Sequence, residues 1–266
     1  MAIAGQINKV ADIYDAINSM PLTVPKLPHL QLWFRGEPMD VWDLAPGIFR
    51  KSIRSRAAPA MNGLELERHL YQDFAVKSAG LRTSRQDSED VYILQQHYGM
   101  PTRLLDWTYN ALAALFFAVE KRGDYDEKDG RLYVMDTYRL WEQQPECSRR
   151  DPPFRGVATS KHRVFSGAVK VVAEWHDPKN MPDYVFPIRP NFFDSRISLQ
   201  RSCFTFHVEG KEILTTAYND SLKVYQIPKA SKLAIRQELT HLGIDYFSVF
   251  GDLPSLSRTL QEQYKL

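Results

Sequence analysis

The sequence predicts an α+β fold, a helical N-terminal half packed on a mixed, mostly antiparallel β-sheet. Three observations lead there. Apolar residues recur at helical spacing through much of the first half, whereas β-branched and aromatic clusters crowd the second. Helical patterns come mostly early and strand patterns mostly late, unlike a regular βαβ succession. The 266 residues, 44% hydrophobic and 25% charged, have the balance of one globular domain, read here as a single domain over 1–266.

The elements follow in order. Ile7, Val10, Ile13, Tyr14 and Ile17 keep helical spacing and predict a short helix over about 7–20, stopped before Pro21. LQLWFRG (30–36), set among prolines and closed by glycine, reads as a strand. Asn62 with Glu65 three residues on forms a capping-box pattern that opens a helix carrying Leu66, Leu70 and Phe74. A second helix starts at Ser88, places Val91, Leu94 and Tyr98 on one side, and ends at Gly99 and Pro101. A third covers about 109–121 with Leu112, Leu115, Phe116 and Val119 on its apolar face, capped by Asp106 or Thr108. The residues between these two helices read as a short turn. Strands are predicted at 131–136, 168–175, 183–188, 203–208 and 222–228, separated at 138–163 by a long polar loop. Helices return at 229–242, closed by Gly243, and at about 253–264.

Several function classes are excluded or disfavoured. No apolar run is long enough for a transmembrane helix, and the N-terminal residues lack the pattern of a secretory signal. Cys147 and Cys203 are too few for a disulfide framework, so a reduced cytoplasmic setting with inert thiols is expected. A net charge of +2, from 34 basic and 32 acidic residues, gives no overall basic footprint. The basic stretches 46–56 and 148–156 read either as solvated loops or as a phosphate-tracking surface. Dinucleotide and phosphate-loop glycine motifs, HExxH and the GxSxG nucleophile elbow are missing, and the histidines stand singly, so no metal is expected.

Three constellations remain. In 95–120, His97, Tyr98, Thr102, Arg103, Asp106 and Trp107 gather around Gly99 and Pro101. Arg103 and Asp106 read either as an internal ion pair or as ligand contacts, and Trp107 as core anchor or aromatic wall. His97, beside a glycine turn, suits an anion or a shared proton. Arg35 ends a hydrophobic strand before Gly36, where its planar fork suits a diphosphate or carboxylate. The alternative pairs it with Glu37. As a clamp it would contribute more to ligand contacts than to packing. In 196–206, Arg196 and Gln200 share a helical face before a strand that sends Phe204 and Phe206 one way and Thr205 and His207 the other.

Together these pieces resemble the FRG domain family. The likeness is carried by Phe34-Arg35-Gly36, by the unbroken run from Gln96 to Thr108, and by the helix at 110–120. It continues through Arg196, Gln200, Phe204 and Thr205 to Ile227-Pro228 and Lys232, from about 31 to 250. The resemblance implies a module of bacterial and phage conflict with toxin-like and antiviral roles. The pattern is in turn similar to ADP-ribosyltransferases, which hold NAD in a split β-sheet through an Arg or His on the first strand and a Glu or Gln on a late one. It implies NAD as co-substrate, a nucleic-acid or protein acceptor, and a regulatory partner such as an antitoxin. His97, Gln200 and Asp106 would be catalytic, and Arg35, Tyr98, Thr102, Arg103 and Trp107 would hold NAD. The sequence departs from that pattern in having no Glu-x-Glu pair. Gln200 then takes the late position, and the general base is Asp106, Glu37 or the acceptor itself. Two rival readings are a non-catalytic binding or regulatory module for a phosphate-bearing ligand or partner protein, and a nucleotide hydrolase.

Overall fold

A computed structural model describes residues 2–20, 32–40, 44–54, 61–82, 86–143, 157–191, 195–208 and 219–265. Its centre is one sheet of eight strands: β1 (Ile3–Gln6), β2 (Leu32–Glu37), β3 (Leu104–Thr108), β4 (Gly130–Asp136), β5 (Ala158–Thr159), β6 (Phe186–Arg189), β7 (Ser202–Phe206) and β8 (Leu222–Ile227). Their spatial order is β1-β8-β4-β2-β3-β7-β6-β5. The two outermost pairs, β1 with β8 and β5 with β6, are parallel, and every inner pair is antiparallel. The α+β fold and its mixed, mostly antiparallel sheet are as expected. The N-terminal half is not purely helical, because it supplies β1, β2 and β3.

One join differs from the rest. β2 and β4 pair along six residues and β3 and β7 along five, whereas β2 and β3 meet only at Phe34 and Thr108. From that couple the two strands part, so the sheet is nearly divided at its middle.

Among the described residues ten helices can be named: α1 (Asp12–Asn18), α2 (Gly63–Lys77), α3 (Ser88–His97), α4 (Ala111–Ala118), α5 (Thr137–Glu142), α6 (Arg163–Ala173), α7 (Ser195–Leu199), α8 (Lys232–His241), α9 (Tyr246–Phe250) and α10 (Leu253–Tyr264). Lys51–Arg54 adds a single turn. On one face of the sheet, Leu32, Phe34, Leu132, Val134 and Ile227 pack against α1, α4, α8 and α9. On the same face of the other half, Leu104, Phe186, Phe204 and Phe206 pack against α2, α3 and α6. The opposite face joins both halves in a third cluster containing Trp33, Tyr133, Leu105, Trp107 and Cys203. The helical face is thus covered in two blocks, with a gap over the β2–β3 join.

Four local expectations are corrected. The 97–108 segment is not all turn, because Leu104–Thr108 is a central strand. Its Leu104-Leu105 and Trp107-Thr108 pairs are buried on both faces, which erased the alternation that marks a half-exposed strand. The 168–175 segment is the end of α6 rather than a strand. Phe165, Ala168, Val169 and Val172 are its buried positions, a helical period that outweighs the β-branched composition, and His162 caps it through Val164 N–H. The first helix begins only at Asp12, since Ile3–Gln6 pairs with β8. Its Tyr14 is exposed, as is Tyr98 after α3. Finally, α4 is capped by Asn110, whose Oδ1 accepts from Leu112 and Ala113 N–H, not by Asp106 or Thr108.

The capping box at Asn62 and Glu65 forms as read. The inner side of that helix carries Glu67 and Tyr71, while Leu66, Leu70 and Phe74 are half-buried. The predicted polar loop contains α5, β5 and the start of α6, and its basic portion 148–156 lies outside the described residues, as does Cys147. Cys203 is buried, and desolvation pushes its thiol well above the ordinary value, in keeping with an inert role.

Candidate functional site

The gap over the β2–β3 join is a cleft of about 350 Å³. Side chains reach it from distant parts of the sequence: Arg35 from β2, His97 at the end of α3, Asp106 from β3, and Gln200 between α7 and β7. Phe34, Phe117, Phe204 and Phe250 supply apolar wall, and Arg122 and Arg196 add positive charge. Pockets of this size, with a few convergent polar groups on aromatic walls, suit a nucleotide-sized ligand.

Arg35 stands where the strands part. Its Nε donates to Glu37 Oε1 at 3.0 Å and its Nη1 to the Asp106 carbonyl at 2.8 Å, so the guanidinium bridges the separating backbones. Glu37 also accepts from the Tyr133 hydroxyl at 3.2 Å and is only 1% exposed. The pairing alternative read from sequence is therefore present, and Arg35 has a structural duty as well as a cleft position. Arg50 lies close enough that burial, and then the charge of Arg35, lowers its pKa, while Glu37 and Asp106 oppose the shift.

Asp106 presents its carboxylate to the cleft, where it accepts from Gln96 Nε2 at 2.8 Å and lies 4.0 Å from Arg35 Nη1. Gln96 in turn accepts from the Thr102 hydroxyl, which fixes the orientation of its amide. Gln200 is held from behind, since its carbonyl accepts from Thr108 Oγ1. The next residue, Arg201, has φ of +47°, a left-handed conformation that a side chain resists. That kink turns the chain from α7 into β7 and leaves Gln200 at the cleft.

The other sequence candidates lie elsewhere. Arg103 is buried, giving Nε and Nη2 to Glu67 Oε2, and Glu67 also accepts from the Tyr92 hydroxyl. Its partner is thus an acid on α2 rather than Asp106. Thr102 is buried behind Gln96. Trp107 borders the cleft, but its ring sits in the third cluster and its Nε1 donates to Thr205 Oγ1 at 3.0 Å, beside His207. Tyr98 packs edge-on to His97 and faces outward, outside the cleft lining.

Sequence reasoning gave no role to Gln96, Phe117, Glu120, Arg122, Tyr125, Ser202 or Phe250, all of which line the cleft. Gln96 and Glu120 stood at the ends of the string already singled out. Arg122 and Tyr125 carried no signal. Lys232 acts behind this wall: its buried ammonium donates to the carbonyls of Pro38 and Tyr125, two cleft residues, and burial lowers its pKa.

Residues 30–127 match the family model of the FRG domain. The chain carries an FRG domain. That span is less than half the chain; it contains Arg35, His97 and Asp106 but stops short of Arg196, Gln200 and Lys232, to which the sequence likeness had been extended. No curated protein and no solved structure matches the chain. The glycine of the FRG triplet has a packing reason. A Cβ on Gly36 would lie 1.8 Å from the Ala114 carbonyl and 2.6 Å from Ala118 N, so only glycine lets α4 cross β2 this closely. The FRG domain thus sets phenylalanine in the core, arginine in the strand gap and glycine under the helix that forms one cleft wall.

Proposed function

We propose that the cleft binds NAD and that the protein is an ADP-ribosyltransferase acting on a macromolecule, in the manner of a bacterial or phage-defence toxin. The observation that carries this reading is the convergence of Arg35, His97, Asp106 and Gln200, from four separate segments, on one cleft at a nearly divided sheet. Breaking the bond between ribose C1′ and the nicotinamide nitrogen develops positive charge on the ribose. A site for it needs a diphosphate clamp, a wall for the rings and groups on the ribose hydroxyls. Arg35, with Arg122 or Arg196, serves the diphosphate. Phe204 and Phe117 take the ring-wall role first expected of Tyr98 and Trp107. His97 and Gln200 hold ribose hydroxyls, and the Asp106 carboxylate faces the developing charge.

The rival, a non-catalytic module for a phosphate-bearing ligand, is favoured by the ties of Arg35 to Glu37 and the Asp106 carbonyl. Turnover separates the two. Purified protein is incubated with NAD labelled in its adenylate portion, with and without cell lysate. The transferase reading expects free nicotinamide and label on a macromolecule, both reduced at least about tenfold in His97→Asn, or roughly 1.4 kcal/mol of transition-state stabilisation, with an unchanged melting temperature. Saturable NAD binding without nicotinamide release would leave the binding module instead.

A further inference from the structure

Glu120 follows the C-terminal end of α4 and is the one described residue that lines both the cleft and a second cavity. This second cavity, about 530 Å³, lies among α4, α8, α9 and the end of α10. Its floor is apolar, with Phe116, Leu239, Ile244 and Tyr246. Its charges balance: Lys121, Arg236 and Lys265 against Asp245, Glu262 and Glu120 itself. A nucleic acid needs a surface of one sign to track its phosphates. An apolar floor with a rim of both signs suits a polypeptide.

Among the described residues, the three carboxylates at or beneath the cleft differ in what already holds them. Glu37 lies under Arg35 and Tyr133 and does not line the cleft. Asp106 already accepts from Gln96 Nε2 and lies 4.0 Å from Arg35 Nη1. Glu120 accepts no side-chain hydrogen bond from a described residue. We propose that Glu120 is the general base of the transfer and that the second cavity seats the acceptor, a segment of polypeptide whose side chain reaches Glu120. The inference rests on the NAD reading of the cleft. Burial raises the Glu120 carboxyl above its ordinary value against the pull of Arg258 and Arg122, toward the range where a base works near neutral pH. In the step, the acceptor's side-chain O–H or N–H gives its proton to the Glu120 carboxylate, and the freed electron pair forms the bond to C1′ of the ribose. The C1′–nitrogen bond breaks with its pair going to the pyridinium nitrogen, which leaves as neutral nicotinamide.

The test uses the full chain, adenylate-labelled NAD and lysate divided after reaction into protease-treated and nuclease-treated portions. Label is expected to survive nuclease and be lost to protease. Glu120→Gln should lower label transfer at least about 100-fold while NAD affinity stays within about threefold, and Glu120→Asp should keep part of the rate. The acidic limb of the wild-type rate profile should lie above the ordinary carboxylate range and vanish in Glu120→Gln. Label sensitive to nuclease would overturn the polypeptide acceptor. Undiminished transfer by Glu120→Gln, or a loss matched by lost NAD affinity, would overturn the base. Failure of the wild type to bind or cleave NAD would overturn the reading of the cleft, and this inference with it.

Discussion

A single arginine joins scaffold and site. With side chains 12% and 1% exposed, Arg35 and Glu37 form an ion pair largely withdrawn from water, and the same guanidinium ties β2 to the β3 backbone. The expectation that Arg35 would contribute more to ligand contacts than to packing is therefore revised. Removing one partner of such a pair strands the other, a change that typically costs about 3–5 kcal/mol when the charge stays buried. Arg35→Met is expected to lower stability by about 3 kcal/mol, read by denaturant unfolding, and adding Glu37→Gln should recover much of the loss by removing the stranded charge. Equal stability of wild type and Arg35→Met would assign the arginine to the ligand alone. Pairing with Glu37 was one of two readings open in the sequence. The second tie was not, because the Asp106 carbonyl is 71 residues away and meets Arg35 only where the strands separate.

At the scale of elements, the cleft wall depends on how closely α4 lies on β2. Gly36 permits that approach, and Phe116 on the same helix packs against Tyr246 and Phe250. Gly36→Ala forces the helix away or bends the strand, since the obstructing atoms are backbone. It should cost about 3 kcal/mol or more and widen the cleft, to be seen as a lower melting temperature and weaker ligand binding in the remaining folded protein. An unchanged melting temperature would mean that α4 can move freely. The helices capped by local side chains were legible: Asn62 with Glu65 marks α2, and the glycine turn marks the end of α3. Elements governed by tertiary burial were not. β3 is covered on both faces and loses its alternation, and α6 is rich in valine, so composition and period pointed opposite ways. Arg103 also belongs here, because its partner Glu67 sits on the buried side of α2, where an apolar residue is the ordinary expectation.

The whole molecule is a sheet in two halves, each with its own helical cover on one face and a shared core on the other. No helix among the described residues is long and apolar enough to cross a membrane. The sequence could show which residues were chemically unusual, and five of the eight cleft candidates first named, Trp107 at the edge among them, do border one cleft. It could not show the gap that gathers them, since the gap is the absence of pairing beyond Phe34 and Thr108. Site and fold thus meet at the β2–β3 join, where we propose that a dinucleotide lies. A crystal structure of the protein with a non-hydrolysable NAD analogue at saturating concentration tests this most directly. The analogue is expected along the join, with its diphosphate at about 2.7–3.2 Å from an arginine of the cleft and its ribose within reach of His97 and Gln200. An empty cleft at saturation, or the analogue bound on another surface, would contradict it.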